Sequence, residues 1–322
     1  MHLPDGFLDA KTALLTTAVS ATGIGIALQQ LRTSLKPRQM PLLGVAAAFV
    51  FAAQLLNFPV MGGTSGHLVG GVLTAVLLGP SAAVLVITCV LIVQCLMFAD
   101  GGLMALGANV FNMAIASVCT GYFVYCFSMR VIRMERRRAT VFGAAFAAWF
   151  GTVVASICCA GELALSRTVA WQLAFPAMAY VHMIIGIGEG VATGLIVMTV
   201  MRTRPELLAD ETSMARGTNM GFLAYGLILS VGLLLFVSPF ACPWPDGLQA
   251  VARNLGFETR AIAPLVDVPL PDYKLPWIGS APLATSIAGL IGTLLAFTAA
   301  YALARLLAPS LSDPKKNTSS RG

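Results

Sequence analysis

Charged residues are scarce in this sequence, and histidine is scarcer still. Of 322 residues only 11% are charged and three are histidine, whereas 57% are hydrophobic and the mean hydropathy is +0.83. A soluble domain carries roughly 25% charged residues, so a soluble protein is excluded, and most of the chain must face lipid or the interior of a membrane bundle. The net charge of +6 therefore reports orientation in the membrane and does not indicate a nucleic-acid partner.

Motifs that would mark an enzyme or a different kind of metal protein are also absent. The seven cysteines form no C-x-x-C pair and no cluster with histidine, so they do not support a zinc site or a disulfide framework and are interpreted as small packing residues. The sequence contains neither H-E-x-x-H nor the phosphate-binding loop G-x-x-x-x-G-K-[ST]. We therefore predict that the chain is not an enzyme. No basic region precedes the first apolar segment and no A-x-A site follows it, so we expect that segment to be retained.

The apolar residues fall into segments that approach the length of membrane helices, which need about 20 residues to cross. Nine segments are predicted, at 10–32, 41–58, 67–79, 82–99, 107–129, 139–163, 177–201, 220–238 and 281–307. The third is short and contains Gly70 and Gly71, so we expect a broken or half-inserted helix there. The predicted fold class is all-α and integral to the cell (inner) membrane, with a seven-helix core and a two-helix C-terminal module.

The distribution of basic residues predicts how these helices are oriented. With the amino terminus outside, 15 of the 20 Lys and Arg residues lie at cytoplasmic ends, and such an excess is typical of cytoplasmic loops. We therefore expect the amino terminus outside and the carboxyl terminus inside. A polar linker, 206–219, then separates a membrane domain, 1–205, from the two-helix module, 220–308, which encloses an extracytoplasmic loop. Residues 309–322 are expected to form a disordered cytoplasmic tail.

The first two residues can chelate a metal ion with their nitrogen atoms. His2 follows Met1 directly, and a metal bound by the terminal amine and the amide nitrogen of His2 closes a five-membered ring. The same amide nitrogen and the Nδ1 atom of His2 close a six-membered ring, which leaves one corner of a plane for another imidazole. Planar nitrogen coordination suits Ni²⁺, Cu²⁺ and low-spin Co²⁺ and disfavours Zn²⁺, Mg²⁺ and Ca²⁺. Taken alone, a histidine at position 2 need not mean anything.

His67 is the candidate for the fourth corner. It is the last residue of the Gly-rich stretch 59–67 at the outer end of the second segment, on the same side of the membrane as the amino terminus. Glycines let the backbone bend sharply and approach closely, as a loop that enters a membrane cavity requires. The alternative interpretation is a histidine at the level of the lipid headgroups.

Two ionisable residues inside an apolar segment indicate a second possible function. His182 and Glu189 are seven residues apart and so lie on one face of a helix. Ionisable residues within spans usually face the bundle interior or a water path. As a cation or proton path, this pair would make the chain a secondary transporter or channel, which is the alternative function. Asp100 heads an outer loop, where it either attracts cations or forms a plain turn.

Amide side chains also occur inside the apolar segments, namely Gln54, Asn57, Gln94, Asn109 and Asn112. They are expected either to orient the ligating imidazoles or to form hydrogen bonds between helices. A stripe of small residues on the second segment, Gly44, Ala48 and Ala52, fits either a partner subunit or internal packing.

With these motifs in place, residues 1–205 resemble the CbiM/NikM family, the substrate-binding membrane components of energy-coupling-factor importers for cobalt and nickel. The resemblance rests on Met1-His2-Leu3-Pro4-Asp5-Gly6-Phe7-Leu8, the Gly63–His67 loop, the Phe98–Asn112 segment and His182–Glu189. It implies a planar site for transported Co²⁺ or Ni²⁺, built from the Met1 amine, the His2 amide and imidazole, and His67. It also implies two partners, a transmembrane coupling subunit of the CbiQ/NikQ type and an ATPase of the CbiO/NikO type.

The C-terminal part resembles the PDGLE module that is often fused to this family, and that module is similar in topology to the small CbiN/NikN subunits. The stretch Pro245-Asp246-Gly247-Leu248-Gln249 departs from the motif at its last residue, where glutamate is expected. If the loop concentrates cations, that role would fall to Asp246. The ligands alone do not separate nickel from cobalt, because both ions accept four planar nitrogens.

Overall fold

Helices dominate the fold, because the apolar segments must satisfy their backbone groups internally. The computed structural model describes residues 1–204, 220–275 and 277–307. We number the helices α1 (Ala10–Ser34), α2 (Met40–Gln54), α3 (Gly71–Leu78), α4 (Pro80–Phe98), α5 (Leu106–Val131), α6 (Arg136–Leu165), α7 (Trp171–Thr203), α8 (Met220–Gly232), α9 (Gly247–Leu255) and α10 (Ala281–Leu307). The predicted linker, 206–219, and tail, 309–322, lie outside the described residues.

The predicted fold class, an all-α membrane protein, is confirmed. Seven apolar helices in the described ranges are long enough to cross a membrane. They are α1, α4, α5, α6, α7, α10 and the span Leu223–Phe240, which consists of most of α8 and the helical turns that follow it. Helix α3 has only eight residues, which at 1.5 Å per residue is far too short for a core of about 30 Å. Gly79, with φ of +89°, separates it from α4, so the third segment is broken as expected.

A short β hairpin, which the sequence analysis did not predict, connects α2 to α3. Strands β1 (Phe58–Val60) and β2 (Thr64–Gly66) pair antiparallel, with Val60 opposite Thr64. Gly62 and Gly63 form the turn with φ of +80° and +72°, which favours glycine. The hairpin carries the residues immediately before His67.

The C-terminal helix α10 packs along α2 and is part of the same bundle. Gly44 of α2 lies against Phe297, and a Cβ added at Gly292 of α10 would stand 2.1 Å from the ring of Phe51. Ala48 and Ala52 are fully buried. The small-residue stripe on α2 therefore serves close packing inside the bundle and offers no surface to another subunit.

Loops from both parts of the chain gather over the amino terminus at one end of the bundle. The backbone N–H groups of Gly102 and Ile262 donate to the carbonyls of Leu3 and Asp5, at 2.8 and 3.0 Å. The hairpin joins the C-terminal loop through Ser65, whose N–H donates to the Pro245 carbonyl at 2.8 Å. These bonds place the hairpin, the α4–α5 loop and the α8–α10 loop around the first residues of the chain.

Candidate metal centre

The first three residues are inserted into the bundle. Met1 and Leu3 are buried, with exposed fractions of 4% and 0%. The N–H of Leu3 donates to Asn109 Oδ1 at 2.8 Å, and Asn109 Nδ2 donates back to the Leu3 carbonyl at 3.1 Å. Asn109 thus holds the backbone next to His2 in register with α5.

The amino group of Met1 lies between two side chains that are distant in sequence. It stands 3.1 Å from Nε2 of His67 and 2.8 Å from Oδ2 of Asp246. His67 Nδ1 faces the backbone carbonyl of Leu68 at 3.1 Å. Because a carbonyl oxygen can only accept, Nδ1 carries the proton and Nε2 presents its lone pair to the amine.

The loop that carries His67 is supported by Glu189 of α7. The two carboxylate oxygens of Glu189 accept the N–H groups of Val69 and Gly70, at 2.6 and 3.0 Å. Glu189 is 1% exposed, so these hydrogen bonds are formed out of contact with water. The buried carboxylate that the sequence placed on a possible ion path therefore has a structural role in shaping the His67 loop.

His2 completes the set of nitrogens. Its ring stacks on that of His67, with centroids 5.4 Å apart and an interplanar angle of 24°. Nε2 of His2 lies 3.2 Å from Gln94 Oε1, and Nδ1 lies 3.3 Å from Asp100 Oδ1. Asp100 also accepts the hydroxyl of Tyr273 from the C-terminal loop, at 2.7 Å. Asp100 is therefore more than a plain turn residue, because it contacts a candidate ligand.

Electrostatics keep the imidazoles in the form that binds metal. Burial lowers the pKa of His2 and that of His67, and the charge of the amino terminus lowers both further. Burial acts to raise the pKa of Asp246, but the amine of Met1 and the N–H of Gln249 outweigh it and hold that pKa well below its usual range. At neutral pH the two imidazoles are neutral, as metal ligation requires, and Asp246 is a carboxylate.

Asp246 reaches the amine because it begins α9. Its Oδ1 accepts the N–H of Gln249 at 2.8 Å, and Gln249 Oε1 accepts the N–H of Asp246 at 3.2 Å, which forms a capping box. Glutamine serves this box as glutamate does, so the departure from the motif at position 249 leaves the helix start intact. The second oxygen of Asp246 remains free to contact Met1.

His182 lies on the inner side of this cluster. Its Nδ1 donates to the Met178 carbonyl at 2.8 Å, and it lines a cavity of about 10 Å³ together with Met1, His67 and Asp246. This volume is close to the minimum that holds one water. A metal ion with its full hydration shell is therefore too large for this cavity.

Asn112, by contrast, forms its hydrogen bond with a neighbouring helix and not with a proposed ligand. Its Nδ2 donates to Glu162 Oε2 of α6 at 2.7 Å, so it forms a hydrogen bond between helices. In the described part of the chain no three His, Cys, Asp or Glu side chains are grouped as a metal cage. Two of the nitrogens predicted as ligands, the Met1 amine and the His2 amide, are not side-chain atoms, so a search for side-chain clusters does not reveal them.

Three contributions to this centre were not predicted from the sequence. They are those of Asp5 and Tyr273 and the contact of Asp246 with the amine of Met1. One signal was present, because the tripeptide Pro-Asp-Gly occurs at 4–6 and again at 245–247. Its recurrence at two loop positions marks both as turn or cap sites, but not as neighbours in space.

Comparisons with known proteins match both parts of the chain. The CbiM family model, described as a cobalt uptake substrate-specific transmembrane region, matches residues 2–207, and the PDGLE domain model matches 220–309. The chain is 37% identical to a NikMN-type fused protein of Archaeoglobus fulgidus, over 95% of this chain and 98% of that one. It is 30% identical to the fused nickel transport protein NikMN of Rhodobacter capsulatus, over 92% and 94% of the two chains. A crystal structure of a transition metal transporter aligns with a TM-score of 0.59 and 31% identity, over 67% of this chain and all of that one.

Proposed function

We propose, starting from the fact that this chain belongs to the CbiM family and carries a PDGLE domain, that it captures Co²⁺ or Ni²⁺ for an ATP-driven importer of the energy-coupling-factor type. The chain is a multi-pass membrane protein of metal transport. The observation that supports capture of Co²⁺ or Ni²⁺ is that Met1, His2 and His67 lie close together. The amine lies 3.1 Å from His67 Nε2 while the two imidazoles stack.

In this proposal the ion takes four nitrogens in a plane: the Met1 amine, the His2 amide nitrogen, His2 Nδ1 and His67 Nε2. The amine and the amide each lose a proton, so a divalent ion replaces two protons. Nitrogen ligands in a plane favour Ni²⁺ or low-spin Co²⁺ over Zn²⁺. The ion pair of Met1 with Asp246 holds the amine beside His67 before the ion arrives, and the amine gives up its positive charge when it becomes a ligand.

The proposed topology places this centre on the outer face. The amino-terminal end of the bundle carries the centre, and the opposite ends of the helices carry most of the Lys and Arg residues. Residues 1–205 are assigned as the metal-binding domain and 220–308 as a module that closes over it. The coupling subunit of CbiQ/NikQ type and the ATPase of CbiO/NikO type are separate chains in this proposal.

The test uses the amine itself. We expect purified full-length protein to bind Ni²⁺ or Co²⁺ with the visible absorption of a planar nitrogen complex. Two residues added before Met1 should abolish that band, because the buried amine has no room for a preceding peptide. The same two residues added at the carboxyl terminus are the matched control. Intact-mass spectrometry establishes whether the amine of Met1 is free, and unchanged binding by the extended protein would refute the chelate.

The alternative of a channel or secondary transporter has less support. Both oxygens of Glu189 accept N–H groups of the His67 loop, which gives this residue a structural task. Liposomes that contain the chain alone separate the two functions. Metal uptake driven by an ion gradient, without the ATPase, would favour the alternative.

A further inference from the structure

We propose that Gln54 and Gln94 are positioning residues that set the tautomer of His2, so that Nδ1 is the unprotonated ring nitrogen. This inference deepens the proposed function, on which it rests for the identity of the ligands. It adds two side chains from α2 and α4 that determine whether the chelating nitrogen of His2 is available.

The two glutamines form a hydrogen-bonded chain that begins at a backbone carbonyl. Gln54 Nε2 donates to the Val69 carbonyl at 2.9 Å, and Gln94 Nε2 donates to Gln54 Oε1 at 2.7 Å. Both side chains are buried, with exposed fractions of 5% and 1%. A carbonyl oxygen only accepts hydrogen bonds, so the Val69 carbonyl imposes the direction of both amides.

The direction of the chain carries through to His2. Since Gln94 turns its NH₂ group to Gln54, its oxygen faces Nε2 of His2, at 3.2 Å. That oxygen requires an N–H, and a neutral imidazole has one. The proton therefore lies on Nε2, and Nδ1 retains the lone pair that closes the six-membered chelate ring.

Asp100 is the competing acceptor for the same proton, because its Oδ1 lies 3.3 Å from Nδ1 of His2. Its side chain is 31% exposed and accepts the Tyr273 hydroxyl, so it has other partners when the imidazole gives it no N–H. Gln94 is 1% exposed, so without an N–H at Nε2 its oxygen would be left buried against a lone pair, at the cost of an unsatisfied acceptor. The lone pair of Nδ1 and the carboxylate of Asp100 then face each other, an arrangement that a cation satisfies.

The other two histidines follow the opposite rule. His67 and His182 each donate from Nδ1 to a backbone carbonyl, that of Leu68 and that of Met178. Both therefore present Nε2. In this proposal only His2 donates a hydrogen bond from Nε2, to Gln94. It is also the histidine whose Nδ1 must bind the ion if the chelate with the amine and the amide is to close.

The experiment reads the tautomer directly in metal-free, full-length protein. With ¹⁵N-labelled histidine, long-range ¹H–¹⁵N correlation distinguishes protonated from unprotonated ring nitrogens, and three histidines are few enough to assign by single replacements. We expect His2 to be protonated at Nε2 in the parent protein. In Gln94→Met, which is similar in length but offers only a weakly accepting thioether, the proton should move to Nδ1 beside Asp100. Affinity for Ni²⁺ should then fall about 10–100-fold, as for other groups that orient a ligand.

Gln94→Glu is the matched control. As a carboxylate or as a carboxylic acid it still offers His2 an acceptor, so Nε2 protonation and most of the affinity should remain. A merely structural role predicts that both variants weaken binding alike, and that result would overturn the inference. So would a parent protein protonated at Nδ1. The tautomer is measured without metal, so failure of the chelate itself, seen with the extended amino terminus, is a separate result.

Discussion

The tripeptide Pro-Asp-Gly occurs twice at the candidate metal centre, at 4–6 and at 245–247, and the aspartates of the two copies bind different partners. The carboxylate of Asp5 is buried and accepts the backbone N–H groups of Leu103 and Met104, at 3.1 and 2.8 Å. The carboxylate of Asp246 divides its oxygens between its own helix and the Met1 amine. One copy fastens the amino terminus to the core, and the other brings the C-terminal module to the amino terminus.

The two glycines differ as well. Gly6 has φ of +92°, and an added Cβ would stand 2.2 Å from the Arg260 carbonyl oxygen. Gly247 lies in the first turn of α9 without positive φ, and an added Cβ would stand 2.8 Å from Cε1 of His182. The first glycine is required by its backbone conformation and by the nearby Arg260 carbonyl, and the second by side-chain neighbours alone. Identical short sequences thus take the structure that their surroundings allow.

Asp5→Asn should have the largest effect. The amide keeps one acceptor oxygen and sets an NH₂ group against backbone donors, so we expect a loss of about 3 kcal/mol, from bonds to a charged group worth about 1.5–3 kcal/mol each. The free energy of unfolding in detergent measures it. Asp9→Asn is the control, because Asp9 is an exposed N-cap of α1 and asparagine caps equally well. Equal losses in the two variants would contradict the proposed role of Asp5.

Gly6→Ala should cost about 2–3 kcal/mol, because a left-handed conformation costs roughly 1–2 kcal/mol with a side chain and the Cβ also displaces Arg260. Gly62→Ala separates these causes, since Gly62 has φ of +80° with no atom near an added Cβ. We expect Gly247→Ala to cost about 1 kcal/mol, as mild overpacking does. Unfolding titrations of the three variants give the order, and a Gly62 variant as destabilised as the Gly6 variant would remove the contact with Arg260 from the explanation.

Asp246→Asn should retain the helix cap and lose the ion pair with Met1, at a cost of about 1–2 kcal/mol for a bond between charged groups. Because the folded protein holds the pKa of Asp246 below its ordinary value of 3.8, the carboxylate stabilises the fold above that pH. Its advantage over the variant should shrink as the pH falls below about 3.8. Unfolding at pH 7 and near pH 3 measures the difference, and a gap that widens in acid would contradict the ion pair.

Gln249→Glu should have the smallest effect, below about 0.5 kcal/mol, because either residue completes the capping box. Metal affinity of the purified protein should be unchanged. Uptake by cells at low metal concentration is the sharper readout. A clear gain in uptake with glutamate would show that the loop concentrates cations. A carboxylate at position 249 would then have a role of its own beside those of Asp5 and Asp246.

Much of the helical architecture could be predicted from the sequence, because hydropathy is a local property. The last helix was predicted at 281–307, and the structure has Ala281–Leu307. The sixth segment was predicted at 139–163, whereas α6 runs over Arg136–Leu165, since polar residues at a helix end continue the helix without adding hydropathy. The hairpin was missed because its strand Thr64–Gly66 is held by Pro245, which is distant in sequence.

The candidate centre divides in the same way. The sequence by itself determined the membrane helices and the nitrogens that a short peptide can bring together, since Met1 and His2 are adjacent and chelation between neighbours needs no fold. Only the tertiary structure decided that Asp246 contacts the amine across 245 positions, that His67 stacks on His2, and that Gln94 faces Nε2 of His2 and not Nδ1. Such partners are selected by distance and direction in space, which depend on how helices pack and not on the order of residues along the chain.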